Sequence, residues 1–312
     1  MLVNRRRYIL YRLTWTVVGA WGALTTIFLA FALTPDPNQY CLGSGCRELY
    51  REARNYDVPI HERYFSWMES LLRLDLGTTV RGEPITGVLG DASLVTGLYL
   101  VPAVVFAVVV GVGVGTYVAM NPESRLLRAV RGASYLGFAV PTFVAAEALF
   151  LVAEHWLQWY NFSYEPKMAL FTGRNLAALV LPGLVLTVNL LAVQLRYAQS
   201  ESVEILQEDF VRTLRATGAD TTDFARHVLK NAASSLLSLF FSELVGVMFV
   251  VVVVVEVIFG VPGVGSLLFE AIQNRDAALI LSTTIFPILL VMFGNLLQDV
   301  AYVYIDPRVE VE

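Results

Sequence analysis

The side chains that most often do chemistry in proteins are few in this chain, and their spacing matches no catalytic pattern. The three histidines, His61, His155 and His227, are scattered, and none has a second histidine at metal-ligand spacing. The sequence contains no Gly-x-x-x-x-Gly-Lys-Ser/Thr phosphate loop, no His-Glu-x-x-His and no Gly-x-Ser-x-Gly. Asp299 lies in a long apolar run without the second aspartate that intramembrane proteolysis would need. The pattern therefore predicts no catalytic residue, no metal site and no cofactor bound by this chain.

The composition points instead to a membrane protein. Of the 312 residues, 56% are hydrophobic and 16% are charged, against roughly 45–50% and 25% in soluble proteins. The mean hydropathy is +0.60. The net charge of −5 argues against a nucleic-acid partner. Lys167 and Lys230 are the only lysines in the sequence, a bias that either a GC-rich genome or a high-salt habitat would produce.

Six long apolar runs predict an all-α membrane protein with six transmembrane helices. Each run is long enough to cross about 30 Å of hydrocarbon as a helix. A buried core helix of a soluble protein would usually be shorter and amphipathic. The predicted spans are residues 13–33, 94–119, 129–153, 176–195, 236–258 and 278–304.

The distribution of arginine and lysine predicts that both termini are cytoplasmic. With that orientation the inner segments hold 13 basic residues and the outer segments hold 9. Six of those nine lie in one long external loop, and the charges of long loops have little influence on membrane orientation. The predicted organisation follows from these spans. It consists of an N-terminal tail with the first span (1–33), an external loop (34–93), a five-span core (94–304) with an inner loop (199–235), and a C-terminal tail (305–312).

The predicted external loop has two features. Cys41 and Cys46 bracket a glycine-containing turn, where they either form a small disulfide or remain two free thiols. Further on, apolar residues recur at helical spacing between Ile60 and Leu72. This pattern predicts an amphipathic helix that lies on the outer membrane surface or packs against the spans.

Polar and small residues in the predicted fifth span are candidates for a transport pathway. Ser238, Ser242 and Gly246 recur at a spacing of four, which favours close packing of a neighbouring helix, although the same face could line a hydrated pathway. Glu243 lies about 10 Å from the cytosolic end of the span, where a carboxylate indicates either a function or a pairing partner. Glu256, near the outer end, either faces a substrate portal or is exposed at the interface.

Three glycines late in the second predicted span, Gly111, Gly113 and Gly115, also indicate close helix packing. Their spacing superficially suggests a phosphate-binding loop. No nucleotide could reach them inside a membrane helix, so we interpret them as packing residues.

The inner loop between the fourth and fifth predicted spans is the most informative segment. One short helix is expected to end near Gly218, because glycine often terminates helices. Asp220 is expected to cap a second short helix, with Asp223 in its first turn. Phe224 and Val228 lie on one side of that helix, so it is expected to present an apolar side to the cytosol. Such a helix is suited to docking into a groove on another protein.

This loop resembles the EAA loop of ABC importer permeases, and in detail that of the dipeptide, oligopeptide and nickel permease family. In that family the loop commonly runs Arg-Thr-Ala-Arg-Ala-x-Gly and ends in His-x-Leu-Arg-Asn. The matching residues are Arg212, Thr213, Arg215, Ala216, Gly218, His227, Leu229 and Asn231. Thr217 replaces the lysine that is often found at its position.

The resemblance continues along most of the chain. Residues 74–85 are similar to an Asp-Leu-Gly element of the family, and residues 138–143 to its proline-containing third span. Residues 256–276 resemble its external Pro-Gly-x-Gly segment, although Val261 stands where an aromatic residue often precedes the proline. Residues 304–309 are similar to its C-terminal end.

The resemblance implies a type I ABC importer permease of MetI-like architecture, with a cytosolic coupling helix. It implies four kinds of partner: a second homologous permease, two cytosolic ATPases that bind ATP and Mg, an external substrate-binding protein, and the lipid bilayer. The residues implied in ATPase contact are Arg215, Ala216, Gly218, Ala219, Asp220, Asp223, Phe224 and His227.

Peptides are the expected substrates, with nickel chelates or oligosaccharides as alternatives. The rival functional class is a secondary transporter or channel that works without ATPases, which would more often show internal repeats or ionisable relays in mid-span. A membrane enzyme is disfavoured by the missing catalytic pattern.

Overall fold

The computed structural model describes residues 5–33, 58–156, 163–218, 220–274 and 276–305. In this part of the chain every named element is helical, and a single isolated bridge joins Thr78 to Pro84. The helices are α1 (Arg5–Ala32), α2 (Ile60–Leu72), α3 (Ile85–Met120), α4 (Arg125–Ala139), α5 (Thr142–Trp156), α6 (Gly173–Ala178), α7 (Val180–Ile205), α8 (Asp209–Ala216), α9 (Thr221–Gly246), α10 (Val252–Phe259), α11 (Val264–Gln273) and α12 (Ala277–Ile305), with a π-helical turn at Val247–Val251.

The apolar helices confirm the predicted all-α membrane fold. Four stretches are long and apolar enough to cross a membrane, namely Arg7–Ala32, Ile85–Met120, Gly173–Ile205 and Ala277–Ala301. Two bent helix pairs bring the number of candidate spans to six if each pair counts as one span. The pairs are α4 with α5, bent by 97°, and α10 with α11, bent by 82°.

The prediction of one continuous third span over residues 129–153 is wrong. The helix stops at Ala139, and Val140 adopts an extended conformation (φ −79°, ψ 120°) before Pro141. Proline disfavours the helical conformation in the residue that precedes it, which accounts for the break. The helix that contains the predicted fifth span also starts earlier than predicted, because one helical run extends from Thr221 through the π-helical turn to Phe259.

Close packing of α3 on α7 forms the centre of the fold. At Gly111 an added Cβ would lie 2.8 Å from Cβ of Gln194, and at Gly115 it would lie 2.8 Å from Cβ of Ala198. At Gly113 the same atom would meet no atom of the described residues within 4 Å. The predicted packing role is therefore confirmed for Gly111 and Gly115, which share a face at a spacing of four, and is wrong for Gly113.

The first and last spans are joined where the N-terminal part of α1 meets the C-terminal part of α12. The guanidinium of Arg12 lies 3.4 Å from the Asp299 carboxylate, and its Nε donates to the Tyr8 hydroxyl at 3.0 Å. Asp299, for which the sequence offers no second catalytic aspartate, thus forms a structural ion pair with Arg12. This contact fixes α1 against α12.

The predicted amphipathic helix is present as α2, and it packs on the first span. The Phe28 ring of α1 contacts the rings of Tyr64 and Trp67, with centroids 5.4 and 5.2 Å apart. The Tyr64 hydroxyl lies 2.8 Å from the Thr25 hydroxyl. Cys41 and Cys46, for which a disulfide or two free thiols were expected, lie outside the described residues.

Candidate functional site

The inner loop has the predicted helix break and cap. Helix α8 ends at Ala216, and Gly218 adopts a left-handed conformation with φ +73°. The Asp220 side chain then accepts a hydrogen bond from the backbone N–H of Asp223 at 2.7 Å, which caps α9. Ala219 lies outside the described residues. Because glycine alone adopts a positive φ without steric cost, the turn depends on the residue type at 218.

The expectation that α9 presents its apolar side to the cytosol is wrong. Phe224 is 9% exposed and Val228 is fully buried. Both pack in a cluster with Ala198 and Ile205 of α7 and Val211 of α8. Helices α8 and α9 fold back against the C-terminal end of α7, so the apolar side of α9 is covered by the chain itself.

The side of α9 that remains exposed is polar. It consists of Asp223, Arg226, His227 and Lys230, whose spacing of three and four places them on one face. The His227 ring Nδ1 lies 2.8 Å from the backbone oxygen of Asp223. Ala216, Gly218 and Asp220 are also exposed, whereas the side chain of Arg215 is not described. A partner that docks at this turn would therefore contact charged groups. Phe224 and Val228, on the opposite side of α9, would anchor the turn to the rest of the chain.

On the opposite side of the chain, α10 and α11 form a bent unit, which we call the outer hairpin (residues 252–273). Helix α10 ends at Gly260, which is left-handed with φ +63°. The backbone N–H of Val261 then donates to the backbone oxygen of Glu256 at 2.9 Å. This αL termination turns the chain sharply before α11 begins.

Glu256 ties the outer hairpin to α3. Its carboxylate is fully buried and accepts hydrogen bonds from the Thr96 hydroxyl at 2.6 Å, the Tyr99 hydroxyl at 2.7 Å and the Ser266 backbone N–H at 2.9 Å. The Thr96 hydroxyl also accepts from the backbone N–H of Val264 at 2.9 Å. The expectation that Glu256 is exposed at the interface is therefore wrong, and its contacts with α3 and α11 agree with the alternative of a helix-packing residue.

The two glycines of the Pro-Gly-x-Gly segment make this arrangement possible. A Cβ at Gly263 would overlap the Glu256 carboxylate and the Thr96 hydroxyl. A Cβ at Gly265 would lie 2.7 Å from the backbone nitrogen of Val253, on the other arm of the hairpin. Glycine is thus required at both positions by close approach of neighbouring groups.

The segment 74–85 docks on the far end of the outer hairpin. The buried Asp276, just after the outer hairpin, accepts a hydrogen bond from the backbone N–H of Val80 at 2.7 Å, and its other oxygen accepts from the N–H of Leu279 at 3.2 Å. Arg81 and Glu270 form an ion pair at 2.9 Å. Sequence reasoning missed Asp276, although an aspartate directly before a long apolar helix is a recognisable N-cap signal.

A cavity of about 490 Å³ lies between the outer hairpin, the start of α3 and the loop that follows α5. Its lining includes Asp91, Tyr164, Pro262 and Glu270. Burial raises the pKa of the Tyr164 phenol, and the charge of Asp91 raises this pKa further. The loop is held by the fully buried Asn175, whose side-chain amide donates to three backbone oxygens of residues 165–169.

The candidate pathway residues of the fifth span have different surroundings. The Ser238 hydroxyl accepts a hydrogen bond from Nε2 of Gln298 on α12 at 3.0 Å. Ser242 and Gly246 are exposed, and a Cβ at Gly246 would meet nothing within 4 Å. Glu243 is partly exposed. In the described part of the chain this face is thus covered near Ser238 and open further along.

Comparison with known proteins agrees with these features. Residues 111–311 match the family described as the binding-protein-dependent transport system inner membrane component. The oligopeptide transport system permease protein OppB of Mycobacterium tuberculosis is 31% identical over 290 residues, covering 89% of this chain and 87% of that protein. A probable peptide ABC transporter permease of Sinorhizobium fredii is 32% identical over 319 residues, covering 97% of this chain and 98% of its own length.

A third relative, the oligopeptide transport system permease protein AppB of Bacillus subtilis, is 27% identical over 274 residues, covering 85% of each chain. The resemblance to ABC importer permeases inferred from the inner loop and the Pro-Gly-x-Gly segment is thereby confirmed. The chain belongs to the inner membrane component family of binding-protein-dependent transport systems, and is a multi-pass membrane transport subunit.

Proposed function

We propose that this chain is a permease subunit of an ATP-driven importer and forms half of a translocation pathway for peptides. The proposed complex contains a second homologous permease, two cytosolic ATPases that bind ATP and Mg, and an external substrate-binding protein. Both termini of the chain are cytoplasmic in this arrangement, so that the turn at Gly218 faces the ATPases. The peptide substrate is supported by the names of the relatives, and nickel chelates or oligosaccharides remain the alternatives.

The observation that carries the proposal is the connection between the inner turn and the outer hairpin. Helix α9, the π-helical turn and α10 form one uninterrupted helical run over residues 221–259. At 1.5 Å per residue the run is about 58 Å long, enough to cross the membrane and extend into the cytosol. A displacement of the capped turn at Asp220 by an ATPase would therefore move the outer hairpin, which alternating access requires.

The exposed polar face of α9 is the proposed ATPase contact, and its charges supply the test. In the purified complex, the double variant Arg226→Glu/Lys230→Glu is expected to lower ATPase stimulation by peptide-loaded binding protein at least about tenfold. The reason is that charges of the wrong sign oppose docking and cost several kcal/mol at an interface. The chain should still insert, because both side chains are exposed.

The matched control is Lys167→Glu on the opposite side of the chain, which is expected to leave the stimulation unchanged. Equal ATPase stimulation in the double variant, the control and the unaltered complex would contradict the proposal that the polar face of α9 contacts the ATPase. Loss of stimulation in the control as well would point to a general effect of charge.

A further inference from the structure

Helix α4 has three distinct sides, and the described part of the chain covers only one of them. Ser134 is 6% exposed, and a Cβ at Gly137 would lie 3.1 Å from Cβ of Ala192 on α7, so this side packs inward. A second side is apolar but open, with Leu126 73% exposed and Leu136 70% exposed. The third side is basic and carries Arg125, Arg128 and Arg131.

Three arginines, Arg125, Arg128 and Arg131, follow one another at a spacing of three along α4. Arg125 and Arg128 are exposed and Arg131 is partly buried. The helix contains no aspartate or glutamate. Within the residues that the structure describes, none of the three arginines forms an ion pair with a carboxylate. Among the described residues, this side of the helix therefore carries positive charge that no carboxylate pairs with.

Both ends of α4 lie near the inner ends of neighbouring spans. Its N-cap, Ser124, follows the last residue of α3, Met120, by four positions. Near its other end, the Phe138 ring lies 3.8 Å from the guanidinium of Arg196, the first charged residue after the apolar run of α7. The 97° bend to α5 also means that α4 and α5 cannot both run along the membrane normal. Helix α4 is thus positioned at the inner boundary of the membrane, in the orientation of the proposed function on which this inference rests.

We propose that α4 is a binding site for anionic phospholipids of the cytoplasmic leaflet. Arg125 and Arg128 bind the phosphate groups, while Leu126 and Leu136 insert among the adjacent acyl chains. An open apolar side next to an open basic side is the arrangement by which interfacial helices bind anionic membranes. The negative potential of the cytoplasmic leaflet attracts basic residues at this depth. Bound lipid would contact the helix that leads directly into the bend at Pro141.

The test measures lipid selectivity of the intact chain in lipid nanodiscs. Native mass spectrometry counts the phosphatidylglycerol and phosphatidylcholine molecules retained by the unaltered protein, by Arg125→Gln/Arg128→Gln and by Arg125→Lys/Arg128→Lys. The affinity of the glutamine variant for phosphatidylglycerol is expected to fall on the order of tenfold or more. The reason is that each arginine near an anionic membrane surface raises the binding affinity roughly fivefold. The lysine variant should retain most of the selectivity, since it keeps both charges.

The control variant, Arg73→Gln/Lys167→Gln, removes two exposed positive charges from segments predicted to lie outside. It is expected to retain the selectivity for phosphatidylglycerol. Equal losses in the control and in the α4 variant, or no loss in either, would overturn the proposal. Loss of a co-purifying permease or ATPase without any change in lipid selectivity would also overturn it, and would assign α4 to a protein interface. The lipid count does not depend on transport. It can therefore contradict the lipid-binding proposal while the proposed import function holds, or support lipid binding when import is disproved.

Discussion

At the scale of single residues, Glu256 connects three parts of the chain through one buried carboxylate. Its three partners, Thr96, Tyr99 and Ser266, come from α3 and α11, and all of them donate. A group that only accepts hydrogen bonds fits this position, since every lone pair it uses meets a donor. The outer hairpin is therefore held to α3 by side-chain chemistry as well as by apolar packing.

Replacing Glu256 with glutamine tests this role. The amide would direct its own donors at groups that already donate, and a buried mismatch of this kind costs about 1–3 kcal/mol. We expect Glu256→Gln to lower the midpoint of thermal unfolding of the purified chain. The matched control is Glu243→Gln in the same helical run, where the partly exposed side chain should cost much less. Equal midpoints for Glu256→Gln and the unaltered chain would contradict the proposed hydrogen-bonding role.

Gly218 offers a second test at this scale. Its positive φ should affect two substitutions at this position differently. Alanine in this conformation costs about 1–2 kcal/mol, whereas asparagine adopts it more readily. Apart from its two chain neighbours, no atom in the described part of the chain lies within 4 Å of a Cβ built at this position, so backbone strain is expected to distinguish the two. We expect Gly218→Ala to reduce the ATPase stimulation of the assembled complex and Gly218→Asn to preserve most of it. The same activity in both variants would show that the turn does not depend on a left-handed residue.

At the scale of helices, the contact between α3 and α7 depends on glycine at two positions and not at the one between them. Gly115→Ala would press its Cβ against Ala198 and the backbone of α7, and overpacking of this kind costs about 1–3 kcal/mol. Gly113→Ala meets open space and should gain up to about 1 kcal/mol of helix propensity. Thermal unfolding of the two variants should therefore shift in opposite directions. A common shift would mean that close approach does not explain the glycines.

The sequence was sufficient to predict most of the long helices of this fold, but not what covers their sides. Hydrophobic runs predicted the four long apolar helices and the location of the two bent helix pairs, and the Gly218–Asp220 signal predicted the inner turn. The apolar pair Phe224 and Val228 showed only that α9 has an apolar side. That side is covered by Ile205 and Val211, which lie elsewhere in the sequence, so hydrophobic spacing could not reveal the partner.

The break at Pro141 and the burial of Glu256 were missed for related physical reasons. Apolar residues continue on both sides of Pro141, so a hydropathy scan does not register the change of direction. The partners of Glu256 on α3 lie about 160 residues earlier in the chain, with sequence separations of 160 and 157. A carboxylate near the end of an apolar run has the same local sequence whether it is exposed or buried.

At the scale of the whole molecule, one helical run joins the proposed ATPase contact to the outer hairpin. The inner end is anchored on α7 through Phe224 and Val228, and the outer end on α3 through Glu256. Movement of the inner turn therefore acts on both anchors. In the proposed function, this geometry would couple ATP hydrolysis at the inner turn to an opening on the other side of the membrane.

The rival account at this scale is a transporter or channel driven by an ion gradient. The measurement that separates the two accounts most directly is uptake of a labelled peptide into proteoliposomes. These contain the chain with its co-purified partners and an external binding protein. We predict uptake that requires ATP on the side of the capped turn at Asp220, and loss of that uptake in Arg226→Glu/Lys230→Glu. Uptake that proceeds without ATP, or that follows an imposed ion gradient, would contradict the account.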